Sequence, residues 1–498
     1  MPSTRTFRTT LATATATAAT TALAAATLAA GTLVAGAGSA SAASAAPSGL
    51  QGDFNGDGYR DLAIAAAMGK VGTQAAAGYV AVVYGTSKGL DPTRRTIISQ
   101  DSAGVPGSAE KGDYFGNALA AADLNRDGYS DLAVSAPEED TAEGQAAGTV
   151  VIVWGGAKGL SGATTVPNPQ PLYGSYFGAS IAAADFTGDG KPDLAIGAQG
   201  DTSPSWKIRL VRGPFAKSGA RGKLTTYSSP VDNPVLTAGR VTKDSAADLV
   251  VQGRKFDKYI LGPSVFYKGS GTGLVKGGTL PAGTNAAIGD LDKDGYGDIA
   301  IGNPDEPVNE PSGSKGGEVS VVYGAASGPS STRRTTLTEN SASVPGVSEY
   351  GDAFGASVAI GDFDKNGYGD LAAGVPGQSF GADPDRKLYA GEVILLRGSA
   401  KGVTGTGARA LSQDTPGVPG TNEGIDSFGA RLLATDINRD GYADLSVVAS
   451  QEDNDAGAVT YLRGAPSASF PATGSTAFGP AALSRPTAYS DFGGRLAG

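Results

Sequence analysis

One nine-residue pattern, D-x-[DNT]-x-[DN]-G-x-x-D, recurs six times along this chain, and each copy runs into a short apolar stretch. Its polar positions one, three, five and nine are Asp53, Asn55, Asp57, Asp61; Asp123, Asn125, Asp127, Asp131; Asp185, Thr187, Asp189, Asp193; Asp290, Asp292, Asp294, Asp298; Asp362, Asp364, Asn366, Asp370; and Asp436, Asn438, Asp440, Asp444. Carboxylates crowded into nine residues repel one another unless a hard cation sits among them. Calcium suits this donor set, because it accepts six to eight oxygens in a tolerant geometry, from side chains at alternate positions and a backbone carbonyl at the seventh. That carbonyl would come from Tyr59, Tyr129, Lys191, Tyr296, Tyr368 and Tyr442. The sixth residue is always glycine, which turns the chain without a Cβ clash. Magnesium demands a stricter octahedron. Transition metals favour nitrogen and sulfur donors, and the chain has no histidine or cysteine.

An EF-hand loop would place a glutamate at position twelve and continue as a helix. Position twelve here is Ile64, Val134, Ile196, Ile301, Ala373 and Val447, within runs such as Asp131-Leu-Ala-Val-Ser-Ala-Pro that read as strands. The loops are therefore expected to join β-strands. A Phe-Gly pair stands eight residues before the first ligand in four copies, at Phe115, Phe177, Phe354 and Phe428. A further strand follows each loop, as in Val80 to Tyr84, Val150 to Trp154 and Val393 to Leu396.

Phe-Gly, strand, acidic loop, strand and Gly/Ala-Pro in this order resemble the FG-GAP repeats of the integrin α-subunit head and of the bacterial secreted proteins that share them. The resemblance implies an all-β fold, a seven-bladed β-propeller with calcium held in hairpin loops. A decayed seventh copy, with Arg240, Thr242, Asp244 and Asp248 at positions one, three, five and nine, fits that count. It lacks the first carboxylate and the glycine, so this fourth blade is expected to carry no metal. Counting it, successive loops start 70, 62, 55, 50, 72 and 74 residues apart, a period that marks propellers and solenoids. The first loop has no Phe-Gly before it, whereas Asp491-Phe-Gly-Gly-Arg-Leu-Ala-Gly498 has no loop after it. Joined in a ring, the C-terminal strand completes the first blade and hides the edges that a linear array would have to cap.

Residues 1–42 hold Arg5, Arg8 and then an uncharged Ala/Thr/Leu/Val stretch ending in small residues near Ala40-Ser-Ala42, the form of a secretory signal peptide. The domain division expected is thus 1–42 signal and 43–498 propeller, with the product secreted and carrying no membrane span. Losing Arg5 and Arg8 takes the formal net charge from −10 to −12, and six calcium ions would return +12. The acidity is accounted for by the loops, and no basic stripe suggests nucleic acid. With no cysteine for disulfides, metal is the natural staple. At about 1 mM free calcium and dissociation constants near 0.1 mM, mass action gives roughly 1.4 kcal/mol per site, or about 8 kcal/mol over six independent sites. That is comparable to the whole stability of a typical domain.

Catalytic triads built on histidine or cysteine are excluded. Gly85-Thr-Ser87-Lys-Gly89 matches a serine-nucleophile pattern, but its repeat equivalents carry Ala157 and Ala400 at the serine, which marks a turn. A second recurring segment supplies Glu110 and Asp113, Glu349 and Asp352, and Glu423 and Asp426, each just before a Phe-Gly pair. Loops on one rim of a rigid scaffold commonly bind partners, and an extracellular protein or glycan is the expected class. The sequence thus reads as a non-enzymatic binding or adhesion module. The alternatives are an extracellular hydrolase or lyase acting on polysaccharide or phosphoester, and a lectin-like propeller, for which Trp154 and Trp206 are the only tryptophans available to stack on a sugar.

Overall fold

In the blades, each acidic loop feeds an apolar run into the middle of a small antiparallel sheet. Leu62–Ala66, Asp131–Ala136, Asp193–Gln199, Asp298–Asn303, Asp370–Val375 and Asp444–Ala449 all begin at or beside the ninth residue of a loop and are buried along almost their whole length. Continuous apolar runs are what a strand covered on both faces requires. The outermost strands, such as Gly89–Ile98 and Thr404–Leu411, are mostly half-buried or exposed and face water.

The computed structural model describes residues 48–200, 205–255, 260–307, 312–466 and 470–498; the expected signal peptide, 1–42, lies outside them. Seven antiparallel sheets make up the described chain, six of four strands and one, in the fourth blade, of five. Among the described residues the fold is nearly all β, with only the short helical turns Glu452–Asp455 and Pro480–Leu483 besides. Six sheets are consecutive in sequence. The first blade is not: Phe492–Ala497 pairs with Leu62–Ala66, registering Ala497 on Ala63 and Phe492 on Ala66. The innermost strands touch in cyclic order, from Phe492–Ala497 through Leu119–Ala122, Ser180–Ala184, Asp232–Gly239, Asn285–Gly289 and Val358–Gly361 to Phe428–Thr435, which returns to the first. The molecule is a seven-bladed β-propeller closed by its C-terminal strand, as the repeat count and the two half-repeats anticipate.

There is one apolar cluster per blade boundary rather than one central core. The Phe-Gly pairs close five of the seven. Phe115, Phe177, Phe354, Phe428 and Phe492 are fully buried at the 1–2, 2–3, 5–6, 6–7 and 7–1 boundaries. Each backbone lies against a glycine of the preceding blade, Gly78, Gly148, Gly317, Gly391 and Gly457, where a Cβ would come within 2.2–2.5 Å of the phenylalanine's main chain. Burying such a ring is worth about 3–5 kcal/mol against alanine. The boundary between blades 4 and 5 has no Phe-Gly and relies on Val241, Val250, Phe266, Leu280, Ile299, Ile301 and Val322.

Candidate metal centres

All six acidic loops adopt one backbone course. The first aspartate accepts the N–H of position six in every copy, at 2.7–3.0 Å, with Asp53 capping Gly58 and Asp436 capping Gly441. The fifth side chain accepts the N–H of the seventh residue, as Asp57 does from Tyr59 and Asn366 from Tyr368. In five copies the third side chain accepts from the fifth N–H, as Asn55 and Asn438 do. These bonds draw the side chains of positions one and five, and in five copies three, back onto the loop's own backbone. In the fifth blade ligand oxygens of Asp290, Asp292 and Asp294 lie within 4.8 Å of one another, and in the sixth so do those of Asp364, Asp362 and Asp370.

The glycine at six has φ between +80° and +91° in all copies, and position four is left-handed as well, at Gly56, Arg126, Gly188, Lys293, Lys365 and Arg439. The sequence reading found the first of these turns and missed the second. Four of the six residues at position four are not glycine, so nothing in the residue type announces the turn.

The ninth aspartate has a double office. Asp61, Asp131, Asp193, Asp298, Asp370 and Asp444 are at most 1 % exposed. One oxygen accepts the N–H of a glycine across the hairpin, Gly85, Gly155, Gly213, Gly324, Gly398 or Gly464, at 2.8–3.0 Å. The other accepts the second residue of the same loop, as in Phe54, Leu124, Leu291 and Ile437. Burial outweighs these donors and pushes Asp61 up to about 8, Asp131 and Asp298 to about 7, and Asp193, Asp370 and Asp444 to about 6. An ionised carboxylate there calls for a nearby positive charge. Oxygen-only donors, three to four side chains per loop and a flexible loop geometry fit calcium.

Basic side chains also attend the loops. Arg94 lies 3.2 Å from Asp57, Arg397 2.7 Å from Asp364 and Arg463 3.4 Å from Asp440, while Arg333 pairs closely with Asp292. Lys191, whose carbonyl is the seventh position of the third loop, turns its ammonium back to Asp189 at 3.0 Å. A chain of lysines runs between loops. Lys243, at position four of the fourth hairpin, donates to the Asp294 carbonyl and lies 4.2 Å over the Tyr296 ring. Lys293 reaches the Asn366 carbonyl and lies over Tyr368, and Lys365 donates to the Asp440 carbonyl at 2.7 Å and lies over Tyr442.

The fourth hairpin keeps Asp248 in the architectural role: it accepts from Val241, Thr242 and Gly269 at 2.9–3.0 Å. Neither Lys243 nor Ser245, at its positions four and six, is left-handed. Arg240 stands where the first carboxylate would be, and Lys268 lies 3.0 Å from Asp244.

On the rim, the structure separates each predicted pair. Asp113, Asp352 and Asp426 are buried and accept the N–H of Glu110, Glu349 and Glu423 at 2.5–2.8 Å, so each closes its own turn. The three glutamate side chains are exposed. Behind them lie carboxylates that the sequence reading did not single out. Gln100 donates to Glu139 at 2.5 Å and Gln413 to Glu452 at 2.8 Å. At the equivalent place between blades 5 and 6 stands Glu339, two residues past its strand like the two glutamines, 1 % exposed and set against the carboxylate of Asp352. Burial and then Asp352 and Glu392 hold it well above the ordinary glutamate range, and burial with Asp352 pushes Glu392 up to about 7. Ser87 of the nucleophile-like pattern is exposed on the tight turn between Tyr79–Thr86 and Gly89–Ile98, as expected of a turn residue.

A family model described as FG-GAP repeat matches residues 45–83, 115–153, 177–206, 282–322, 354–396 and 428–462. It passes over the fourth hairpin. The chain is an FG-GAP repeat protein with an integrin-like β-propeller. Among curated proteins it is similar to phosphatidylinositol-glycan-specific phospholipase D of Homo sapiens, 32 % identical over 185 residues, 36 % of this chain and 20 % of that protein. It is also similar to integrin alpha-IIb of Mus musculus, 38 % over 152 residues, 30 % of this chain and 14 % of that protein, and to integrin alpha-3 of Cricetulus griseus, 36 % over 133 residues, 24 % and 12 %. The matched segments span a fifth or less of these relatives. Among the described residues no helix is long and apolar enough to cross a membrane.

Proposed function

We propose that this chain is a secreted, calcium-loaded propeller that acts as a non-enzymatic binding or adhesion module, with six metal sites and a fourth blade that takes none. The observation that carries the calcium reading is the shared course of the six loops, with left-handed turns at positions four and six that the fourth hairpin lacks, and carboxylate oxygens that converge within 4.8 Å in the fifth and sixth blades. Positions one, three, five and nine would supply side-chain oxygens and position seven a carbonyl. A hard cation there offsets the charge that burial disfavours on the ninth aspartate. Partner binding draws on the similarity to integrin alpha chains and on the exposed glutamates Glu110, Glu349 and Glu423 at three blade boundaries.

Metal analysis of the purified protein, coupled to thermal unfolding with and without EGTA, tests the first half. Six calcium ions per chain and a large drop in unfolding temperature on chelation are expected; a calcium-free protein that is equally stable in EGTA overturns the reading. Screening against extracellular proteins and glycans tests the second half. Turnover of a polysaccharide or phosphoester that Glu349→Gln or Glu110→Gln abolishes would replace the binding module with an enzyme.

A further inference from the structure

The innermost strands of six of the seven blades present one equivalent residue each, three after the phenylalanine where a Phe-Gly is present. In four blades it is small or neutral, Ala118, Ser180, Asn285 and Ser357, and Ser180, Asn285 and Ser357 register on Gly197, Gly302 and beside Ala373 respectively. In the seventh and first blades it is Arg431 and Arg495, adjacent around the ring. Both side chains are exposed to water, yet they line a cleft of about 400 Å³ among the innermost strands together with Ser180, Asn285 and Ser357.

Neither guanidinium has an ion-pair partner within 4.0 Å among the described residues. Arg431 donates to the Ala430 carbonyl at 2.7 Å and Arg495 to the Gly494 carbonyl at 2.8 Å, so each satisfies one of its donors on its own strand. Asp491 is the one nearby carboxylate whose charge both arginines feel. Two cations and one anion leave the cleft one positive charge, in a chain whose formal net charge is −10. Although water reaches both side chains, the innermost strands packed round Arg495 desolvate its guanidinium, and this burial, with the like charge of Arg431, pushes it down to about 10. Two like charges held together in this way favour a shared counter-ion, and the planar forks of arginine fit oxyanions.

We propose that Arg431 and Arg495 form an anion-binding site in the central cleft, which takes a small ligand through a carboxylate or a tetrahedral oxyanion such as a phosphate or sulfate group. The site is independent of the acidic loops. Its partner chemistry is the opposite of theirs, and it would survive even if the loops held no metal.

The test uses the full chain in calcium-containing buffer, titrated with sodium sulfate and, separately, with sodium acetate at constant ionic strength, probes that distinguish a tetrahedral oxyanion from a carboxylate. Binding is read by calorimetry and by the unfolding temperature. Sulfate also stabilises proteins by exclusion from their surface, so the decisive readout is a saturable component that Arg431→Ser and Arg495→Ser weaken about tenfold each, as loss of one charge-assisted partner implies. Serine already stands at the equivalent positions of blades 3 and 6, and Arg431→Lys, which keeps the charge and loses the fork, should bind at an intermediate level. Saturable binding of either anion with this ranking supports the site. The absence of saturable binding of both, or equal binding in wild type and variants, overturns it.

Discussion

The fourth hairpin and the other six hold their backbones together with the same residue and differ in the first carboxylate and in both left-handed turns. Asp248 accepts three main-chain N–H groups just as Asp298 accepts those of Leu291 and Gly324. Yet the fourth copy has Arg240 for the first carboxylate and no left-handed residue at positions four and six. The contrast divides the nine-residue pattern into two layers. The ninth aspartate closes the hairpin in all seven copies, and in the six acidic loops the proposed calcium site adds it to positions one, three and five.

The sharpest way to break that division is to remove the ninth aspartate from both kinds of hairpin. Asp248→Ala strands buried N–H groups and should cost roughly 3 kcal/mol in chemical denaturation without changing bound calcium. Asp298→Ala should lose the same and one calcium as well. If Asp248→Ala cost no more than the exposed Asp244→Ala, within about 0.5 kcal/mol of zero, the architectural layer would not exist.

A smaller effect tests the same logic at another departure from the repeat. Glu339 occupies the place of Gln100 and Gln413, facing Asp352, Glu392 and Glu349 with no cation among the groups acting on it. Its folded-state titration is raised, so its contribution to stability is complete at acid pH and is lost as pH climbs from the ordinary glutamate range past 7. Glu339→Gln should therefore flatten the fall in stability between pH 5 and 8 and stabilise the protein by roughly 2 kcal/mol at the alkaline end. An unchanged pH profile would show that the glutamate is neutralised in some other way.

Installing the missing layer sharpens the comparison from the opposite side. Arg240→Asp combined with Ser245→Gly should give the fourth hairpin one added calcium and about 1.4 kcal/mol at millimolar calcium; metal stoichiometry checks it, and no gain would mean that Thr242 and Asp244 cannot complete the set. Smallest of all, Lys365→Met removes a donor and a ring contact between two loops and should cost about 0.5–1 kcal/mol, read by unfolding in saturating calcium.

Much of this was legible in the residues because the acidic loops and blade closure both depend on local pattern. Asp123 to Asp131 spells out its candidate ligands by spacing, and Phe492-Gly493 without a following loop announces the half-blade that meets Leu62–Ala66. What stayed hidden depends on tertiary neighbours. Nothing about Arg126 or Lys293 says that the backbone there is left-handed, and Glu339 looks like any polar residue until the fold buries it beside Asp352 and Glu392. Arg431 and Arg495 could have been found by aligning the repeats on Phe-Gly, since only then do they stand in the column of Ala118, Ser180 and Ser357.

The lysines at position four grip forward only. Lys243 holds the fifth loop, Lys293 the sixth and Lys365 the seventh, each on a carbonyl two residues from the one expected to meet a cation. The linkage is thus directional, like links of a chain laid in one rotational sense, and it starts from the hairpin that has no cation centre of its own. Ordering of any one loop is handed to its neighbour on one side, so this half of the wheel should lose its metal in sequence rather than at random.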